Sequence, residues 1–355
     1  MINNVLINPG LASLAGDLAE LGLRLVRSWP RGADRLLLDL VDHDHRRLAG
    51  QWLATPRRAA GIAAATPGSR AVGPFVLQPA GADRRLPAVV RRLQWPGATL
   101  LGHRPERRAV LREADGSFTK IVRPDRWRRL VDTTRLAESL PLATPAVLGA
   151  DRAEASVTTA ALPGRALTEL LNDPAAAEAC RATGRTLAAL HRLDPATTTA
   201  GRAAPAAHDL SAERAVTAHW QRLADDYAAP RPDWRPRRLP RGTLAEPTTR
   251  LALIHRDLHD GQILINDHGE AGLIDFDLIA VGDPALDLAN LIAHLELRAD
   301  QGVIIDPEPL IEAVLNGYRP SPALRTRLPG YLALARDRLD AVYAFRPSGV
   351  SSLVP

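Results

Sequence analysis

Lysine is almost missing from this chain of 355 residues: of its 45 Lys and Arg residues, only Lys120 is a lysine. Cysteine is as scarce. Cys180 stands alone, which excludes an intrachain disulfide and argues against a thiolate metal site or redox chemistry. Aromatic residues make up 4% and the arginines are scattered through every segment, so neither a base-stacking platform nor a basic stripe is present, and no nucleic-acid partner is expected. No apolar run reaches the roughly 18 residues that cross a bilayer, and Met1 to Asn8 lacks the basic start of a secretory signal. A cytoplasmic protein without a membrane partner is expected. The arginine excess, beside 29 prolines and abundant alanine, fits a GC-rich coding bias and leaves a net charge of +5 and a pI near 10.0. A lysine that persists under such a bias is a candidate for a position that needs a compact ammonium where a planar guanidinium will not serve.

What is present divides the chain into three. Asn8-Pro9-Gly10 precedes Leu11, Leu14, Leu18, Leu21 and Leu25, whose spacing predicts one amphipathic helix. Leu36 to Val41 and Arg47 to Leu53 read as a β-hairpin, with Pro74 to Gln78 a further strand, so residues 1–82 form an α+β module of unknown role. In residues 83–162 a short helix, Arg85 to Trp95, ends at Pro96-Gly97. Three strands follow, Ala98 to His103, Arg108 to Arg112 and Ser117 to Val122, then a helix from Pro124 to about Pro141 and a strand from Val157 to Ala161. Residues 163–355 open at Pro163-Gly164 and are mainly helical, with predicted helices at Leu167 to Leu171, Cys180 to Leu193, Ala212 to Tyr227, Pro284 to Arg298, Pro307 to Gly317 and Ala323 to Phe345. Two stretches, Asp194 to Asp209 of Ala, Thr, Pro and Gly and Ala228 to Thr249 rich in Pro and Arg, read as surface loops.

The segment His255-Arg256-Asp257-Leu258-His259-Asp260-Gly261-Gln262, then Leu273-Ile274-Asp275-Phe276-Asp277, then Gly282-Asp283-Pro284-Ala285-Leu286-Asp287, resembles the catalytic loop, metal-binding loop and following helix of the aminoglycoside phosphotransferase and choline kinase superfamily. The resemblance runs from about Gly97 to Pro347. It implies an α+β, bilobal protein-kinase-like fold, with a small β-rich N-lobe and a mainly α-helical C-lobe behind the extra N-terminal module. It also implies a phosphotransferase that moves the γ-phosphate of ATP or GTP, with Mg²⁺, to an alcohol group.

Residue by residue, Asp257 matches the base that orients the acceptor hydroxyl. Asp275 matches the main Mg²⁺ ligand, and Gln262 stands where the family usually has asparagine, its amide oxygen one methylene further out. Lys120 matches the lysine on the nucleotide phosphates, with a helical carboxylate, Asp132 or else Glu138, to steady it. His255 and Asp287 match the residues that support the catalytic loop, and Asp283 reads as a helix cap. The turn His103 to Arg108 has no glycine where the family covers the nucleotide, so Arg104 and Arg107 are candidates to replace backbone amides on the phosphates. A polycationic aminoglycoside is a poor electrostatic match for a chain of net charge +5. Neutral sugars, macrolides, or Ser/Thr of a biosynthetic precursor peptide remain as acceptors. The alternative function is a nucleotide-binding pseudokinase that regulates or scaffolds, motivated by Gln262 and the glycine-free turn.

Overall fold

The structure is a computed structural model, and it describes residues 10–201, 204–227 and 251–346. The N-terminal module begins with α1 (Gly10–Glu20), whose Leu11, Leu14 and Leu18 are buried. The predicted helix stops short of Leu25. Gly22, at φ +71°, turns the chain, and Leu23 opens a strand instead. That strand, β1 (Leu23–Pro30), is followed by β2 (Arg35–Asp42), β3 (Arg47–Leu53), α2 (Pro56–Ala64), β4 (Arg70–Val72) and β5 (Phe75–Gln78). The five strands make one antiparallel sheet in the order β1-β2-β3-β5-β4, with Leu36 opposite Trp52 in the central hairpin.

After α3 (Ala88–Leu93) a second five-stranded antiparallel sheet is built from β6 (Thr99–Arg104), β7 (Arg108–Arg112), β8 (Phe118–Val122), β9 (Val147–Asp151) and β10 (Ser156–Thr159), in the order β6-β7-β8-β10-β9. Between β8 and β9 runs α4 (Pro124–Glu138). Proline at its first position suits the start of a helix, and the Trp127 indole donates to the Ser156 carbonyl at 3.1 Å, fixing the helix on the sheet. Strand alternation decides what each face of this sheet does. On one face Ala109, Leu111 and Ile121 are buried against Leu86, Ala88 and Val89. Val110 lies opposite Lys120, and Arg108 opposite Val122, on the other face.

The rest is mostly helix: β11 (Arg165–Ala166), α5 (Leu167–Leu170), α6 (Ala176–Arg192), α7 (Pro195–Thr198), β12 (Ala207–His208), α8 (Leu210–Asp226), β13 (Ala252–Ile254), β14 (Ile263–Ile265), β15 (Ala271–Leu273), β16 (Ala280–Gly282), α9 (Ala285–Asp300), α10 (Glu308–Tyr318) and α11 (Pro322–Tyr343). The stretch Asp194 to Asp209 thus carries a short helix and a strand that pairs in parallel with β16, while Ala228 to Thr249 lies outside the described residues. The fold is α+β, β-rich in its N-terminal part and helical in its C-terminal part. Among the described residues no helix is long and apolar enough to cross a membrane.

The N-terminal module does not keep a core to itself. Leu14, Leu18, Leu36, Leu38, Trp52 and Leu77 join one apolar cluster with Leu223, Ala224 and Tyr227 of the α8 end and with Ala341, Ala344 and Phe345 at the end of α11. The Tyr227 hydroxyl donates to the Gly32 carbonyl at 2.7 Å, and the Ser28 N–H donates to the Phe345 carbonyl at 2.9 Å. On its other side Arg47 donates to the Leu101 carbonyl of β6. The module therefore braces the β-rich lobe against the helical one.

Candidate active site

The candidate catalytic loop, residues 255–262, hangs between β13 and β14, and the candidate metal-binding loop follows β15. Leu258, fully buried, anchors the first loop in the helical core. Its backbone is held by one carboxylate. Asp287, near the start of α9 and fully buried, accepts from the N–H groups of both His255 and Arg256 at 2.7 Å and pairs with His191 Nε2 at 3.1 Å. Burial alone would push the Asp287 carboxyl up; His191, His255 and the backbone donors outweigh it and hold it below the ordinary value. Arg256 takes φ +73°, a left-handed conformation that costs a non-glycine residue free energy, and its carbonyl is fixed by Asn290 Nδ2 at 3.0 Å.

His255 is buried, its ring tilted against that of Phe276 with centroids 4.7 Å apart, and donates from Nε2 to the Ile274 carbonyl at 2.8 Å. This ties the catalytic loop to the metal-binding loop. Asp260 is neutralised by Arg298 at 2.7 and 3.2 Å. Burial works against its ionised form, but the arginine keeps its pKa below the usual value. Asp283 accepts from the Ala285 N–H at 2.9 Å and pairs with Arg327 at 2.7 Å, which fixes the start of α9.

Asp257 is the half-exposed carboxylate of this loop, at 46% side-chain exposure, with Arg338 Nη1 3.9 Å from it. Arg338 is itself oriented by Asn290 Oδ1 at 2.7 Å and Glu213 at 3.1 Å. Lys120 reaches from β8 to the metal-binding loop, where its ammonium donates to Asp275 Oδ1 and Asp277 Oδ1, both at 2.8 Å. Burial disfavours the ammonium, but the two carboxylates more than compensate and raise its pKa, while Lys120 and Arg108 hold Asp275 far below the ordinary carboxylate value.

Two expectations need correction. The carboxylate that steadies Lys120 is not Asp132, which lies on the exposed side of α4 at 3.7 Å from Arg128; Glu138 instead accepts from the Val147 N–H at 2.7 Å. And the arginine of the glycine-free turn that reaches the metal-binding loop is Arg108, 3.2 Å from Asp277, while Arg104 stacks over Trp29 of the module at 5.2 Å and Arg107 faces a cavity beside the module. The signal for Arg108 was in the register: it sits two residues before Val110, the partner of Lys120, and so shares its face.

Whether this set fits Mg²⁺ can be judged from its donors. Among the described residues no group of three His, Cys, Asp or Glu side chains is placed to hold a metal. Asp275 and Asp277 are brought together by one cation, however, and the Gln262 amide oxygen is buried without a hydrogen-bond partner on the loop whose carbonyl accepts from the Ile274 N–H at 3.0 Å. An unpaired buried acceptor is costly unless something positive meets it. Hard oxygen donors of this kind suit Mg²⁺. Asp275 itself sits at φ +65°, a second left-handed non-glycine residue at the site.

The model of the phosphotransferase enzyme family matches residues 99–331. Among solved structures the chain is similar to the aminoglycoside phosphotransferase APH(3'')-Id from Streptomyces rimosus, at 22% identity over 68% of this chain and 93% of that one, with a TM-score of 0.49. It is also similar to the macrolide 2'-phosphotransferase MphH from Brachybacterium faecium, at 21% identity over 70% and 92%, with a TM-score of 0.43. The amicoumacin kinase hAmiN, solved with AMP-PNP and Ca²⁺, aligns at 15% identity over 73% and 84%, with a TM-score of 0.46. None of the curated proteins matches significantly.

Proposed function

We propose that this chain, which belongs to the phosphotransferase enzyme family, moves the γ-phosphate of ATP or GTP to a hydroxyl of a neutral or anionic small molecule. The observation that carries the reading is Lys120 Nζ held 2.8 Å from both Asp275 and Asp277, on loops that His255 ties to the segment bearing the half-exposed Asp257. Transfer of a phosphoryl group asks the protein for position and charge more than for covalent chemistry. Lys120 and Arg108 bring two positive charges to the phosphates. Asp257 accepts the hydrogen bond of the incoming hydroxyl, aiming its oxygen, and takes the proton as the bond to phosphorus forms and the bond from the γ-phosphorus to the β–γ bridging oxygen breaks, the nucleoside diphosphate leaving. Asp275 and the Gln262 amide oxygen would hold Mg²⁺, which supplies charge neutralisation on the transferring group.

Two guanidiniums stand by this part of the site: Arg338, with Nη1 3.9 Å from Asp257, and Arg108, 3.2 Å from Asp277. This favours an acceptor without positive charge. Thermal unfolding with ATP and with GTP, each with and without Mg²⁺, tests the reading. A nucleotide at about 100 times its dissociation constant stabilises by roughly 2.7 kcal/mol, and the gain should depend on Mg²⁺. No shift with either nucleotide would overturn the proposal.

A further inference from the structure

Beside the β6–β7 turn, away from Lys120, is a polar cavity of about 240 Å³. Five arginines line it from four separate segments: Arg31 and Arg35 from the module, Arg85 ahead of α3, Arg107 from the turn and Arg123 just before α4. One carboxylate, Glu106, faces them. It is already engaged, with Arg35 at 3.0 Å, Arg84 at 3.2 Å and Arg85 at 3.6 Å. Arg31 and Arg107 have no carboxylate partner among the described residues, and the Nε atoms of Arg31 and Arg123 are buried without any hydrogen-bond partner.

So many like charges around one small space repel one another: Glu106 answers Arg35 and Arg85, and Asp125 answers Arg123 at 2.7 Å, but among the described residues no carboxylate pairs with Arg31 or Arg107. Burial, then Arg107, Arg35 and Arg123, pushes the Arg31 pKa down to about 10; Arg107 moves the same way through burial and Arg123. Arginine does not release its proton under ordinary conditions, so the strain is relieved by bringing in negative charge. Planar guanidinium forks arriving from several directions match the acceptor oxygens of a tetrahedral oxyanion. The volume holds such a group with a few waters and is too small for a folded acidic segment.

We infer that this cavity is a second anion site, one that takes a phosphate group, inorganic or carried by a small phosphate monoester, and clamps the module to the turn and to the start of α4. The site lies outside the nucleotide-binding residues and does not depend on the phosphotransfer reading. It would hold four segments with one ligand. The turn it would steady is the one that carries Arg108 to Asp277.

The test is thermal unfolding of the full chain, without nucleotide, titrated with inorganic phosphate against chloride at matched ionic strength. A saturable rise is expected at millimolar phosphate or below. Arg31→Gln and Arg107→Gln, which break no ion pair among the described residues, should each weaken half-saturation at least tenfold, and in phosphate-free buffer each should melt at or above wild type because a repelling charge is gone. Lys120→Ala should keep the rise, which separates this cavity from the nucleotide site. Glycerol 3-phosphate in place of inorganic phosphate identifies the source by whichever half-saturates at the lower concentration. A rise that never saturates and is equal in the arginine variants is general salt exclusion and overturns the inference; so does a rise lost in Lys120→Ala and kept in both arginine variants.

Discussion

The catalytic loop and the seam beside the N-terminal module are both crowded with charge, and they handle it in opposite ways. Around the loop nearly every buried charge has a counterpart in direct contact: Asp287 with His191 and two backbone donors, Asp260 with Arg298, Asp283 with Arg327, Lys120 with Asp275 and Asp277. At the seam, Glu106 answers for Arg35, Arg84 and Arg85 together, and Arg31 and Arg107 are left over. Buried pairs with complete hydrogen bonding fix a geometry but tolerate little loss, because removing one partner strands the other. A surplus of one sign behaves differently: it loses little when thinned and gains when neutralised from outside. The loop is organised to stay put, the seam to receive something.

The largest departure from balance around the loop is Asp257, whose carboxylate is left facing solvent with Arg338 at 3.9 Å. If it serves the acceptor and not the frame, Asp257→Asn should leave folding and nucleotide affinity nearly intact while the transfer rate falls by about 10² to 10⁴, the usual share of a positioned base. Calorimetry with the nucleotide and a single-turnover rate decide this; loss of nucleotide binding in a folded variant would move Asp257 into the phosphate site. Next in size is Asp287→Ala. It strands the His255 and Arg256 N–H groups and His191 in a fully buried place, and should cost about 3–5 kcal/mol in denaturant unfolding. A loss under 1 kcal/mol would show that the loop frame is not what holds this region.

Glu106→Gln probes the other side of the comparison. It removes the seam's shared carboxylate and should lower stability by about 1–3 kcal/mol, the loss shrinking when phosphate is added. Insensitivity to phosphate in this variant would uncouple the carboxylate from the cavity. The smallest effect expected is in the pH profile. The carboxyls of Asp260, Asp275 and Asp287 are all held below their ordinary value in the folded state, so the stability they contribute is present above the unfolded value near 3.9 and is lost as pH falls from there through the lower folded values. Glu106, also depressed, adds to the same limb. Urea unfolding at pH 6, 4 and 3 should show a decline confined below about pH 4 that persists in Glu106→Gln, because the loop supplies most of it.

Much of this arrangement was readable in the residues themselves. The stretch from His255 to Asp287 carries its own spacing, and β7, β8 and α4 were marked by the turn Asp115-Gly116 and by Pro124. What stayed hidden depended on contacts between distant segments. Asp132 stood at a plausible helical distance from Lys120, but the partner came from residues 155 and 157 positions later. Leu21 and Leu25 continued the helical pattern of α1, yet Gly22 broke it and β1 took Leu23 and Leu25 into the sheet. In β9 the burial is slight, so no alternating pattern announced it. Arg108 looked like its neighbours until the strand register placed it beside Lys120.

The cluster that joins Leu11 and Leu14 to Ala344 and Phe345 has a consequence for how the protein is made. A ribosome adding about 5–20 residues per second needs roughly 15–70 s to go from Leu11 to Phe345. Through that interval the leucines of β2 and the ring of Trp52 have left the exit tunnel without the helices that cover them. Ser28, whose backbone and hydroxyl both donate to the Phe345 carbonyl, waits for a partner 317 positions downstream. The N-terminal module is therefore made well before the helices it packs on and reaches its final packing only after them, and in the meantime it offers an apolar sheet face of the kind chaperones hold.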